Sequence, residues 1–187
     1  MENIKIYSAD NPLSREQFNQ IYDIIRLSFP PNEHRGFDGQ YGEFGNKYFR
    51  CMCVGGEKIT GFMNFWELSG FIYLEHFAVA REMRKKGIGS ILLNELKKYA
   101  ANRPIVLEVE LPETGETAVR RIEYYKQRGF FVNEYEYYQP PYNDGDEPLK
   151  MFIMSCPKPL SPEEFGSVRD VLYRDAYETD GKFGSIQ

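Results

Sequence analysis

Residues 84–89, Arg-Lys-Lys-Gly-Ile-Gly, set three cations and two glycines at the head of a run with helical spacing: Ile88, Ile91, Leu92, Leu96 and Tyr99. A helix start presents unpaired N–H groups and a partial positive charge, which suits phosphate oxygens. Glycine at 87 and 89 lets an anion approach the backbone with no Cβ in the way, and Arg84, Lys85 and Lys86 add charge where a pyrophosphate would lie. A few residues upstream, Glu75 sits inside the apolar run FIYLEHFAV, where an ionisable group needs a partner or a task. Strand alternation puts Tyr73, Glu75, Phe77 and Val79 on one face, and His76 on the other as a packed core residue. Glu108 and Glu110 share a face of the next apolar run and can form an acidic wall for a cation. His34 and His76 are the only histidines, and neither stands at ligand spacing from Cys51, Cys53 or Cys156, so no metal site is expected.

These groups need a scaffold, and the sequence reads as α/β with about seven strands. Strands are expected at 4–9, 48–54, 60–68, 71–79, 105–111, 131–138 and 149–155, the second and third joined at Gly55-Gly56. Ser14 with Gln17 opens a helix to about residue 27, its apolar face made by Phe18, Ile21, Tyr22 and Ile25, and Pro30-Pro31 stops it. The glycine-rich stretch 32–46 reads as loop or broken helix. Ala118, Ile122 and Tyr125 mark a further helix closed by Gly129. Ser161-Pro162-Glu163-Glu164 starts a last helix with Phe165, Val168 and Leu172 on its apolar face, and the tail from Thr179 is expected to fray.

The 187 residues suffice for one core. A net charge of −5 speaks against a general nucleic-acid binder, and no apolar run reaches the roughly 18–20 residues of a membrane span. The start, MENIKIYSADN, lacks a signal pattern, so a cytoplasmic location is expected. Three cysteines do not make a disulfide framework, and Cys51 and Cys53, on one strand face, read as reduced thiols packed as small hydrophobes. A homodimer is among the assemblies the sequence allows.

Two phosphate-binding motifs fit poorly. A P-loop is absent, and a dinucleotide fingerprint would need glycine where Leu92 stands, with its glycines directly at the strand end. Glu108 does fall about where a ribose-binding acid would, which keeps a dehydrogenase as an alternative. The order of features is more specific. The apolar strand, then Arg84 with Gly87 and Gly89, an amphipathic helix, and later Tyr125 with Gly129 and Phe130 together resemble the GNAT superfamily of acetyl-CoA-dependent N-acetyltransferases. The resemblance covers roughly residues 4–156 and suggests a catalytic domain at 1–157 with a helical extension at 158–187.

That resemblance implies acetyl-CoA as donor and no metal. The backbone of Lys85, Lys86, Gly87, Ile88, Gly89 and Ser90, with Arg84, would hold the pyrophosphate, and the pantetheine arm would pair along Phe77, Ala78 and Val79. It implies Glu75 as general base and Tyr125 as the acid facing the thioester sulfur. Relatives often carry Asn and Ala where this chain has Ala118 and Arg121, so that Asn contact to the cofactor is not carried over. Acceptor recognition falls to the loop 29–35 and the last hairpin, giving Glu33, Arg35, Tyr73, Glu108, Glu110 and Tyr138 as substrate-binding candidates, since aromatic walls with carboxylates suit an amine cation. A small-molecule primary amine is the expected acceptor. A protein Nα- or lysine acetyltransferase and a non-catalytic acetyl-CoA sensor remain open.

Overall fold

The computed structural model describes residues 3–181. The chain divides into two compact units. The first runs to Glu67 and takes in Leu74–Asn102; the second takes Leu68–Tyr73 and the chain from Arg103 onward. Among the described residues there are eight strands and five α-helices in a mixed α/β arrangement. The sequence led to about seven strands because it read 131–138 as one.

Strands β1 (Ile4–Tyr7), β2 (Phe49–Gly55), β3 (Ile59–Leu68) and β4 (Phe71–Val79) follow one another in the sheet in chain order, the first unit holding them up to Glu67 and again from Leu74. The β2–β3 turn requires glycine: Gly55 has φ +129°, and a Cβ there would stand 2.1 Å from the Lys58 carbonyl oxygen. Helix α1 (Arg15–Ser28) starts at a complete capping box. The Gln17 N–H donates to Ser14 Oγ (3.2 Å), and the Ser14 N–H donates to Gln17 Oε1 (3.0 Å). It buries Phe18, Ile21, Ile24 and Ile25, with Ile24 in the place expected for Tyr22.

The glycine-rich stretch is more ordered than its composition suggests. It holds a 3₁₀ turn (Pro31–Glu33) and a short helix α2 (Phe37–Glu43). Two internal glycines lower the propensity of that helix by about 1 kcal/mol each. Ring packing compensates: Phe37, Tyr41 and Phe44 surround Phe18 at centroid distances of 5.1, 4.9 and 5.4 Å.

Helix α3 (Ile88–Ala100) buries Ile88, Leu92, Leu93, Leu96 and Ala100. It packs against β3 at a notch left by Gly61, where an added Cβ would come within 3.0 Å of Ile88 Cγ2 and 3.2 Å of Leu92 Cδ1. Gly61→Val should therefore overpack this seam and cost about 1–3 kcal/mol, read as a lowered midpoint in chemical denaturation. An unchanged midpoint would mean that α3 can slide on the sheet.

The second unit begins with the first residues of β4, where the Ile72 N–H donates to the Pro104 carbonyl (2.8 Å). Strand β5 (Ile105–Glu110) pairs antiparallel with β8 (Leu149–Cys156), and β6 (Phe131–Asn133) pairs with the other edge of β8. A two-residue β7 (Tyr138–Gln139) pairs with the start of β8. Helix α4 (Glu116–Lys126) buries Ala118, Ile122 and Tyr125. The chain leaves the ladder between β6 and β7 because Asn133 turns inward. Its Nδ2 donates to the Ile153 carbonyl (3.0 Å) and Ser155 Oγ (3.0 Å), and its Oδ1 accepts the Leu160 N–H (2.8 Å).

Helix α5 (Pro162–Val171) has the expected capping box, Ser161 with Glu164. It continues into a π-helical turn, Leu172–Ala176. The expected fraying does not begin at Thr179, whose N–H donates to the Tyr173 carbonyl (2.8 Å); residues 182–187 of that tail lie outside the described residues.

Candidate active site

The phosphate-type site expected from the sequence lies entirely in the first unit. Gly87 is the N-cap of α3 in the left-handed region (φ 84°), and no side chain caps the helix. Glycine at the N-cap brings no side chain to the first-turn amides, the arrangement an anion can use. Lys85 is also left-handed (φ 65°), a conformation a non-glycine residue holds at a cost of about 1–3 kcal/mol, which is common where backbone amides are turned toward a ligand. Lys85 and Lys86 are exposed. Arg84 is employed differently: its Nε donates to the Val79 carbonyl (3.1 Å) and its terminal nitrogen to Ser28 Oγ (3.3 Å), bracing the end of β4 against α1. Beside it lies a cavity of about 580 Å³ lined by Gln20, Leu27, Ser28, Lys58, Arg81 and Arg84, among others.

Glu75 is buried to zero side-chain exposure between two partners. Arg35 donates to its Oε1 at 2.7 Å and reaches Glu43 at 2.9 Å, and His76 Nδ1 lies 3.3 Å from its Oε2. Burial alone would raise the Glu75 pKa. The Arg35 guanidinium and the His76 contact outweigh it and hold the carboxyl at about 2. His76 reaches the Glu75 carboxylate from the neighbouring position of a strand whose burial alternates regularly from 75 to 79. It is packed, as expected, edge-on against Phe29 (5.0 Å), and its Nε2 lies 3.0 Å from the Glu33 carbonyl.

The loop 29–35 is thus latched to β4 at three points, through Phe29, Glu33 and Arg35. Arg35, expected at the acceptor, takes part in this latch, and so does the backbone carbonyl of Glu33, another residue expected there. Glu43, which completes it, was missed. It follows the glycines of α2, and nothing in its spacing links it to Arg35.

In the second unit Tyr125 is 7% exposed, between Tyr124 (5.4 Å) and Phe130 (5.5 Å), and its hydroxyl makes no hydrogen bond among the described residues. Burial first, with the nearby Glu110 charge, pushes the phenol well above 10, so it stays protonated and able to donate. Glu110 and Arg121 form an ion pair, which separates Glu110 from the acidic wall expected with Glu108.

Glu108 is the centre of a tyrosine cluster. It accepts hydroxyls from Tyr73 (2.7 Å), Tyr177 (2.7 Å) and Tyr137. Tyr137 is buried in step with Asn133, four residues before it, and is the tyrosine of this segment that reaches Glu108. Tyr138 instead lines a separate cavity of about 500 Å³ with Arg169 and Tyr173. Tyr177 had no sequence signal at all, since it follows an irregular turn.

A family model described as the acetyltransferase (GNAT) family matches residues 18–130. A solved structure from Bacteroides thetaiotaomicron, described as a GNAT-family acetyltransferase, is 30% identical with a TM-score of 0.81, over 94% of this chain and 98% of that one. The PaiA N-acetyltransferase of Thermoplasma acidophilum, solved with coenzyme A, shares the fold at 18% identity and a TM-score of 0.58, over 82% of this chain and 98% of that one. The Bacillus subtilis (strain 168) protein YjbC, named as an acetyltransferase, is 34% identical over 67 residues, 35% of this chain. The match spans only 34% of that protein's length.

Proposed function

The chain belongs to the acetyltransferase (GNAT) family, and from that premise we propose that it moves the acetyl group of acetyl-CoA directly to a primary amine of a small molecule. The observation that carries the reading is the uncapped, glycine-led start of α3 behind left-handed Lys85, with Lys85 and Lys86 exposed beside it. In this reading the amides from Lys85 to Ser90 take the pyrophosphate, and the backbone at Phe77–Val79 orients the pantetheine arm. The catalytic domain is assigned to residues 1–157.

We assign Glu75 a different part from the base expected from sequence. A lysine-like ammonium has a pKa of about 10.4, and moving its proton to a carboxylate held at about 2 is uphill by about 11 kcal/mol. Glu75 instead fixes the loop 29–35 through Arg35, and the acceptor reacts as the amine already deprotonated in water. The apparent second-order rate should then rise tenfold per pH unit below the acceptor's pKa. A plateau beginning near neutral pH would bring an enzymic base back.

Tyr125 is the assigned acid. Tyr125→Phe keeps the ring packing and removes the donor, so single-turnover acetyl transfer should slow by about 10²-fold with acetyl-CoA affinity little changed. Wild-type single-turnover rates in the folded variant would make Tyr125 a packing residue.

The reading as a whole is tested by following thioester consumption with a panel of polyamines, amino acids and peptides. Turnover on small amines supports it. Turnover confined to peptides moves the acceptor class to protein, and acetyl-CoA binding without turnover makes the chain a sensor.

A further inference from the structure

Three polar side chains are sealed inside the first unit without hydrogen-bond partners. Gln40 on α2 and Asn64 on β3 are 0% exposed, and Trp66 on β3 is 1% exposed. Both polar atoms of each amide, and the Trp66 Nε1, have no partner among the described residues. A group buried in this way loses its hydration and gains nothing for it, so a set of them gathered in one place needs a reason.

They are gathered by the sheet and by α2. In the β2–β3 register Cys51 stands opposite Asn64 and Phe49 opposite Trp66, so these four share one face. Helix α2 is anchored to that face at both ends. Phe44, just past its last residue, lies 5.1 Å from Phe49, which lies 5.2 Å from Trp66. Just before its first residue, the Arg35 guanidinium stands 6.0 Å from the Trp66 ring. Gln40, midway between these anchors, is the residue that α2 buries. The helix starts at Gly36 without a side-chain cap and contains Gly39 and Gly42, so its hold comes from the anchors more than from its own turns. Releasing them lifts α2 from the amides and gives a ligand access.

The atoms define what can answer them. Gln40 Nε2, Asn64 Nδ2 and Trp66 Nε1 are donors, and Gln40 Oε1 and Asn64 Oδ1 are acceptors. Turning either amide over still leaves it one of each, so the pattern does not depend on how the amides are set. An ammonium only donates, and would leave the donors facing it. A carboxylate only accepts, and would leave both carbonyls bare. Either ion would also be buried beside an Arg35 already paired with Glu43 and Glu75. A hydroxyl has a single proton to give. A primary carboxamide offers two N–H groups and an oxygen that accepts twice, so it complements both amides at once.

We propose that Gln40, Asn64 and Trp66 form a carboxamide subsite beneath α2. This rests on the N-acetyltransferase reading and narrows its acceptor class, because the loop 29–35 assigned to the acceptor ends at Arg35, over the same tryptophan. A carboxamide nitrogen is not a nucleophile, so the nitrogen acetylated is another one. The acceptor is therefore a small amine whose far end carries a primary carboxamide. The three side chains set specificity and take no part in the chemical step.

The test compares 4-aminobutanamide with 4-methylpentan-1-amine, its apolar isostere, as acceptors for the intact chain. Wild type should prefer the carboxamide by roughly tenfold to a hundredfold in kcat/KM, since a site built for hydrogen bonds rejects an analogue that lacks them. 4-Amino-N-methylbutanamide, with one N–H fewer, should fall between the two. Asn64→Leu and Gln40→Met remove an amide at similar volume. Each should raise KM for 4-aminobutanamide and erase most of the preference, with the urea midpoint unchanged or raised because orphaned polar atoms are gone. Equal use of the two amines by wild type overturns the subsite while the acetyltransferase reading stands, and that comparison needs no variant to fold. Lowered midpoints in folded variants that keep the preference would make the amides structural, and overturn it as well. Best use of the N-methyl amide would overturn the assignment to a primary carboxamide. No turnover on any amine, with 4-aminobutanamide bound by wild type in calorimetry and not by folded Asn64→Leu, keeps the subsite and removes the acetyltransferase reading.

Discussion

Valine at both 87 and 89 should remove measurable acetyl-CoA binding, a loss of about 10³-fold or more, in a protein that still folds. Two effects add. Gly87 sits at φ 84°, where a β-branched residue is strained, so the first turn of α3 would shift to relieve it. A Cβ at 87 meets nothing within 4 Å, so it projects into the open space assigned to the pyrophosphate instead of into the core. Strain of a few kcal/mol with an obstructed anion site is worth three decades or more, since each 1.4 kcal/mol is tenfold. Calorimetry gives the affinity, and circular dichroism shows whether the fold is retained. Unchanged affinity in a folded double variant would remove the pyrophosphate assignment.

Glu75→Gln should be the most destabilising single change considered, by about 3 kcal/mol, because it removes the more deeply buried of the two carboxylates, Glu75 and Glu43, that pair with Arg35. The pH dependence has a definite sign. Glu75 titrates near 4.5 when unfolded and at about 2 in the native protein, so its contribution is complete above 4.5 and is lost as pH falls toward 2. The difference corresponds to about 3 kcal/mol, consistent with the range for a broken buried pair. Wild type and Glu75→Gln should thus converge in stability as pH drops from 4.5 to 2, by urea titration at several pH values. Parallel curves would mean that Glu75 keeps an ordinary carboxyl pKa. The variant should also bind acceptor more weakly than it binds acetyl-CoA, because Arg35 then no longer latches the loop 29–35.

What the sequence disclosed follows from the range of the interaction involved. Local signals held: the capping boxes at Ser14 and Ser161, the span Phe71–Val79, and Gly87 ahead of α3 are written within a few residues of where they act. Helix α2 was hidden because its glycines argue against it and its support comes from rings on α1. Asn133 ended a strand that alternation would have continued. Glu75 was correctly singled out as needing a partner or a task, but the partner lies 40 residues away. Tyr177 is 69 residues from Glu108, and no periodicity links them.

The inward turn of Asn133 also bears on how the chain can change over generations. Its Oδ1 accepts from Leu160, and Tyr135 donates back to the Leu160 carbonyl (3.3 Å), so the segment beyond 157 answers polar groups that belong to the strands before it. Phe165 lies against Tyr135 and Tyr137 (4.8 and 6.5 Å), shielding them from water. A lineage that lost the segment in one deletion would keep an orphaned buried amide, at about 1–3 kcal/mol, and bare two aromatic rings besides. Loss becomes tolerable only after Asn133 is itself replaced, and that replacement is costly while the segment remains. Each feature holds the other in place, so descendants should keep both or neither.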